Sequence, residues 1–312
     1  MEPCVVSGSA NPALGAAIAR ELGIELCASS TELFPDGEMH VELGEPVRGR
    51  DVYVVQPTAP PVSDSLMELL LLGDAARRAG AARTIAVVPY FGYARADRRQ
   101  REGQPLAARL VGELIGRARF ERLVAVDLHT PAIEGSLPMP VDHLTAIPVL
   151  VEALAAQLPE GSIVVAPDLG AAKRADAIAR KLGLPVAIVH KSRQSGTDVS
   201  VHAVVGDVRG RSPLVVDDMI STGGTIVAAV DALRAHGCRE ETTIVATHAL
   251  LVGSALERLA ALKSARLVVA DTVRPPRDAT LSITTASVAP LLAEAIRRLH
   301  TRRSLGELLQ SS

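Results

Sequence analysis

Short runs of consecutive aliphatic residues, many of them β-branched, recur along the chain at 4–7, 51–56, 84–89, 123–127, 163–166, 186–190, 214–217, 243–246 and 267–270. A run that is apolar at successive positions has no face for water. It suits a strand of a parallel sheet covered on both sides. Amphipathic stretches with helical spacing separate most of these runs, at 65–79, 106–118, 170–182 and 226–236, and another lies at 288–300. Strand and helix in alternation predict a doubly wound α/β fold with mainly parallel central sheets.

A length of 312 residues suggests two such domains. The chain also resembles itself. Cys4-Val-Val-Ser-Gly-Ser-Ala leads into a helix ending Ala-Arg-Glu-Leu-Gly23, and Ile163-Val-Val-Ala-Pro-Asp-Leu leads into one ending Ala-Arg-Lys-Leu-Gly183. A unit repeated once per half chain predicts two similar domains, 1–147 and 148–287, with the closing segment 288–312 packing back on the first.

Composition narrows the function. The formal net charge is −2 with 22% charged residues, against a general nucleic-acid binder, so an anionic ligand must be held by local cations. Three widely spaced cysteines show neither a disulfide framework nor zinc spacing, which predicts a reducing cytoplasm, and no apolar run is long enough for a membrane. Of the six Phe and Tyr, Phe34, Tyr90, Phe91 and Tyr93 fall in two short segments. They form either local packing clusters or walls for a flat ligand such as a purine.

The segment Val215-Val-Asp-Asp-Met-Ile-Ser-Thr-Gly-Gly-Thr225 carries the strongest local signal. A buried strand delivers two carboxylates into a small-residue loop and then a helix. Gly223 and Gly224 let backbone N–H groups approach an anion; Thr222 and Thr225 add hydroxyls; the helix adds its positive end. That is a cradle for a phosphate, with Asp217 and Asp218 placed to accept bonds from a ribose. A capped turn would not require the paired aspartates.

This loop resembles the phosphoribosyl-pyrophosphate loop of phosphoribosyltransferases and ribose-phosphate pyrophosphokinases. Other segments single out the second group. Phe34-Pro-Asp-Gly-Glu38 resembles its nucleotide loop, and Pro89-Tyr-Phe-Gly-Tyr-Ala-Arg95 with Asp97, Arg98, Arg99 and Arg101 resembles its ATP flap. Asp127-Leu-His-Thr130 resembles its metal segment, Ala166-Pro-Asp-Leu-Gly-Ala-Ala-Lys-Arg174 its diphosphate loop, and His190-Lys-Ser-Arg193 the root of its flexible catalytic loop, placed here at 192–198.

The resemblance implies two phosphoribosyltransferase-type domains, an ATP-side domain first and a ribose-5-phosphate domain second. It implies transfer of the diphosphate of ATP to the 1-hydroxyl of ribose 5-phosphate with Mg²⁺. ATP would be met by Phe34, Asp36, Glu38, Arg95, Asp97, Arg98 and His129, and the sugar phosphate by Asp217, Asp218, Ser221, Thr222, Gly223, Gly224 and Thr225. Metal contacts would come from His129 and Asp168, and transition-state charge would be met by Lys191 and Arg193. Phe34, Asp36 and Glu38 would reach the ATP of a neighbouring subunit, making a homo-oligomer with a dimer-dependent site. From the residues alone, a buried structural histidine is the favoured reading of His129 and surface cations ending a strand that of Lys191 and Arg193, while Asp168 also suits a helix cap.

Some positions depart from the larger branch of that family. Ala96 and Ala132 stand where glutamines are usual, Ser221 where an aspartate is, and Ser136-Leu137 where two phenylalanines are. With Glu134, which repels phosphate unless paired, these predict ADP inhibition by competition with ATP and little allostery. Two rivals remain at this level. A non-catalytic regulatory subunit would lack the metal and flexible-loop residues, which this chain keeps. A base-attaching phosphoribosyltransferase would not need the segments at 34–38, 90–101 and 127–130.

Overall fold

The computed structural model of the chain describes residues 2–155, 157–193, 199–276 and 281–309, and for 191–193 and 199–202 it describes the backbone. It divides into two compact units, Met1–Thr145 with Thr272–Arg274 and Val288–Ser312, and Ala146–Asp271 with Pro275–Ser287.

The first unit runs β1 (Cys4–Ser7), α1 (Pro12–Leu22), β2 (Ser29–Leu33), β3 (Met39–Leu43), β4 (Asp51–Val55), α2 (Val62–Arg78), β5 (Arg83–Val88), α3 (Ala107–Arg117), β6 (Arg122–Val126) and β7 (Val141–Leu144). Its five-stranded sheet has the order β1-β4-β5-β6-β7, all parallel. Val52 and Val54 pack in one cluster with Leu66, Leu69 and Leu72 of α2 and Val111 and Ile115 of α3. The alternate residues Tyr53 and Val55 are equally buried. Both faces are thus covered, which is why these strands read as continuous apolar runs. Strands β2 and β3 form a separate antiparallel hairpin. Ser-Ser-Thr-Glu-Leu and Met-His-Val-Glu-Leu stay partly exposed throughout, so neither gives an apolar run, and the sequence reading missed them.

The second unit runs α4 (Ile147–Ala155), β8 (Ser162–Ala166), α5 (Ala172–Leu182), β9 (Val186–Arg193), β10 (Val199–Val205), β11 (Ser212–Ile220), α6 (Gly224–Ala235), β12 (Thr242–Ala249), α7 (Ala255–Ala260), β13 (Ala265–Ala270) and β14 (Ser282–Ala286). Its seven strands lie in the order β10-β9-β8-β11-β12-β13-β14. Only the β9–β10 pair in that sheet is antiparallel. Chain order reverses between β8 and β11. Such a switch point opens a crevice beyond the carboxyl ends of the two strands, where open α/β sheets take ligands. The last helix, α8 (Ala289–His300), belongs to the first unit. There Arg297 donates to the Glu21 carbonyl at 3.0 Å and His300 meets Asp51 at 2.9 Å.

The internal repeat is visible as geometry. Helices α1 and α5 both end in Leu-Gly, with Gly23 (φ 72°) and Gly183 (φ 66°) in the left-handed conformation that closes a helix C-terminus. The expected α/β class with two mainly parallel sheets holds. The cysteine reading does not. Cys4 and Cys27 form a disulfide, because the chain returns from α1 to pair Cys27 with Val6 beside β1, leaving Cys238 free.

Candidate active site

In the second unit, β11 carries Asp217 and Asp218 toward its carboxyl end, next to the switch point. Both are half-buried, and the Asp218 N–H donates to Asp217 Oδ1 at 2.9 Å. Burial pushes the Asp217 carboxyl well above the usual carboxylate range, and the charges of Asp218 and Asp168 push it the same way. Asp168 arrives from the other side of the switch point, just after β8. Its Oδ1 also accepts the Ala171 N–H at 3.2 Å, so it fastens the turn into α5 as well as adding to this acidic cluster. The three carboxylates are near enough to feel one another's charge, which gives this end of the sheet acceptors suited to sugar hydroxyls.

The loop after β11 has the shape the sequence implied. Gly223 takes φ 76° as the N-cap of α6, a conformation suited to glycine, and Val227 donates to its carbonyl at 3.0 Å. Ser221 and Ile220 accept backbone N–H groups from Val252 and Leu251, both at 3.0 Å. Thr222 and Thr225 are exposed and Gly224 is half-buried. Arg258 of α7 adds a cation that sequence reading missed: its Nη1 lies 3.7 Å from where a Cβ on Gly224 would stand. One arginine in an ordinary amphipathic helix gave no signal of this.

Lys191 and Arg193 lie on the backbone of β9, paired with Val201 and Val199 of β10. Ser192 and Arg193 therefore belong to a strand rather than to a loop, because the antiparallel partner extends β9 beyond its apolar run. Residues 194–198 of the expected loop, and the side chains of Lys191 and Arg193, lie outside what the structure describes.

In the first unit the aromatic segment divides. Tyr90 and Phe91 are buried, Phe91 within the main core cluster, so they pack the protein rather than a ligand. Tyr93 is exposed and its hydroxyl meets Ser63 at 3.2 Å. Gly92 is needed where the chain crosses Thr58, since a Cβ there would stand 2.6 Å from the Thr58 carbonyl oxygen. Arg95, Arg98, Arg99 and Arg101 are exposed, and no ion pair among the described residues engages them. Asp97 accepts the Thr130 hydroxyl at 2.8 Å, which joins this segment to the Asp127–Thr130 loop.

That loop is tightly held. Asp127 is fully buried at φ 44° and accepts the Thr145 hydroxyl at 2.9 Å. The Leu128 N–H donates to Nε2 of buried His143 at 2.8 Å, which leaves His143 Nδ1–H to donate to Glu134 at 2.7 Å. Glu134 is thereby held by a hydrogen bond from a neutral ring, which fixes its position and leaves its carboxylate charge in place. His129 itself is exposed, against the reading of a buried structural histidine.

The hairpin tip is compact. Phe34 N–H donates to Glu38 O and Gly37 N–H to Phe34 O, both at 2.8 Å, and Asp36 Oδ1 accepts the Glu38 N–H at 3.0 Å. Phe34 is 46% exposed, yet one face is covered by the His40 ring, 5.8 Å away and 21° from parallel. Its other face can accept a flat ring.

Comparison with known proteins agrees with this geometry. Residues 3–118 match the family model for the N-terminal domain of ribose phosphate pyrophosphokinase, and residues 140–263 match that for the phosphoribosyl transferase domain. The ribose-phosphate pyrophosphokinase of Caldanaerobacter subterraneus subsp. tengcongensis is 43% identical over 97% of this chain and 96% of its own length. That of Nostoc sp. is 42% identical over 97% of this chain and 92% of its own. A crystal structure of phosphoribosylpyrophosphate synthetase from Mycobacterium smegmatis superposes with a TM-score of 0.90 at 37% identity, over 97% of this chain and 100% of that one. With both domain models matched in order and these relatives aligned nearly end to end, the chain belongs to the ribose-phosphate pyrophosphokinase family.

Proposed function

We propose that this enzyme transfers the β,γ-diphosphate of ATP to the 1-hydroxyl of ribose 5-phosphate, giving phosphoribosyl pyrophosphate and AMP. The observation that carries the reading is the phosphate loop at 221–225, joined to the carboxylates Asp217, Asp218 and Asp168 at a topological switch point. The loop takes the 5-phosphate through backbone N–H groups and the α6 N-terminus, and Asp217 and Asp218 accept from the ribose hydroxyls. The first unit takes ATP: Phe34 stacks on the base, Asp36 and Glu38 accept polar hydrogens, and Arg95 and Arg98 meet phosphates, with Asp97 holding the segment to the His129 loop. The dimer-dependent arrangement, in which the tip serves a neighbouring subunit, is part of this reading. Exposed Leu110 and Leu114 of α3, with Leu106 at its N-cap, support assembly.

Mg²⁺ fits the donor set. No group of three or more metal-ligating side chains is assembled among the described residues, but magnesium takes one or two carboxylates and completes its shell with water and phosphate oxygens. Within the second unit Asp168 would supply such a carboxylate, and within the first exposed His129 is the candidate donor. When bound, the ion neutralises charge on the transferring diphosphate. Lys191 and Arg193 stabilise the charge that builds on the attacked phosphorus and the departing AMP. No helix among the described residues is long and apolar enough to cross a membrane. A cytoplasmic location now rests on the substrates rather than on the cysteines.

Phosphorus NMR of a reaction with ATP, Mg²⁺ and ribose 5-phosphate is expected to show AMP and a new sugar diphosphate. ADP as the product would mean simple phosphoryl transfer and would overturn the assignment.

A further inference from the structure

Glu68 is an acidic residue in the apolar run Leu66-Met-Glu-Leu-Leu-Leu-Leu72 of α2. It is 1% exposed, and both of its oxygens are used as acceptors. Oε1 accepts the Ser9 N–H at 2.8 Å and the Thr31 hydroxyl at 2.7 Å. Oε2 accepts the Ser9 hydroxyl at 2.6 Å and the Gln56 amide at 2.6 Å. Gln56 in turn accepts the Ala10 N–H at 3.2 Å and donates to Ser65 O at 3.3 Å. A Cβ on Gly8 would stand 2.2 Å from Gln56 Oε1, so the loop after β1 is pressed onto this cluster. None of Glu68's donors is cationic, and a buried acid with this many committed donors is costly to place unless each stays in position.

Most of these partners sit beyond the carboxyl ends of β1 and β4. The exception is Thr31, in the middle of β2. It pairs with Val41 of β3, whose side chain packs against the core, and Phe34 begins three residues further on. The hairpin is not part of the main sheet; among the described residues the Thr31–Glu68 hydrogen bond ties it to α2, while the Ser29 hydroxyl ties its base to the Ser7 carbonyl at 3.1 Å.

We propose that Glu68 is a positioning residue for ATP. Through Thr31 it fixes the β2–β3 hairpin against α2 and the β1 loop, and so aims the tip that carries Phe34, Asp36 and Glu38. This rests on the reading of that tip as a nucleotide loop, and the test separates the two.

Thr31→Val removes the hydroxyl at nearly constant volume, Glu68→Gln keeps the shape of the acid, and Phe34→Ala tests the tip directly. Both network variants are expected to raise KM for ATP about tenfold, the scale of one hydrogen bond to a charged group. KM for ribose 5-phosphate should stay near its wild-type value, a split that general loosening of the fold would not give. In the double variant Thr31→Val/Phe34→Ala the increases should not multiply, because both act along one path. If Phe34→Ala raises KM for ATP but Thr31→Val does not, or if both KM values rise together, the positioning role is overturned. If Phe34→Ala leaves KM for ATP unchanged, the reading of the tip fails, and the proposal with it. Should Glu68→Gln not fold, Thr31→Val and the double variant decide alone.

Discussion

Asp217, proposed above to meet the ribose, is a residue whose placement costs stability. Its carboxyl is driven upward by burial and then by the charges of Asp218 and Asp168. An acid with a raised folded-state pKa binds more protons folded than unfolded. Its stability contribution therefore falls as pH rises from the ordinary carboxylate value through the raised one. Asp217→Asn should melt at a higher temperature than the parent at neutral pH without ligands, and the gap should shrink in acid. The same variant should raise KM for ribose 5-phosphate by about 10- to 100-fold, since it loses a charged acceptor. Melting curves across pH with initial rates test both, and an unchanged melting temperature would remove the repulsion from the account.

Among the elements, β9 carries the cations and α2 the buried acid. Lys191 and Arg193 fall at the end of a strand whose antiparallel partner β10 fixes their backbone register. Lys191→Ala and Arg193→Ala should each lower kcat by roughly 10²–10³, as loss of a transition-state donor does, with smaller changes in KM. Steady-state kinetics with near-normal kcat in both would return them to ordinary surface charges. The Asp127–Thr130 loop depends on β7 in the same indirect way. His143 satisfies the Leu128 N–H, and removing its ring would leave a buried donor unpaired at a cost of about 1–3 kcal/mol.

At the scale of the whole molecule, the last helix is tied back to the first unit by charge. Arg83 donates to Asp51 at 2.8 Å, and His300 of α8 meets the same carboxylate. The Arg83 hydrogen bond is the main cause holding the Asp51 carboxyl below its usual value. Its stability is fully present above the ordinary carboxylate value and is lost as pH falls through the depressed one. Asp51→Asn should therefore melt below the parent at neutral pH, with the difference closing in acid; a gap that widens in acid would contradict this. Assembly has its own test. Mixing an inactive Glu38 variant with an inactive Lys191 variant should restore partial activity if the hairpin tip serves a neighbouring subunit and subunits exchange. Light scattering that found an active monomer would exclude it.

What the sequence determined by itself was whatever lies close along the chain. The parallel strands were legible because burial on both faces writes itself as consecutive aliphatic residues. The proposed phosphate loop was visible as a motif because Asp217 to Thr225 are neighbours in sequence, with Gly223 at the one position of the turn that takes a positive φ. The hairpin was not, since its half-exposed strands leave no apolar run. Tertiary structure alone decided that Tyr90 and Phe91 are core, that Cys4 meets Cys27, that Glu134 accepts a hydrogen bond from His143, and that Glu68 is held by residues 59 and 37 positions away. Those contacts follow from sheet order and from where α2 packs, and local propensity and periodicity carry no record of either.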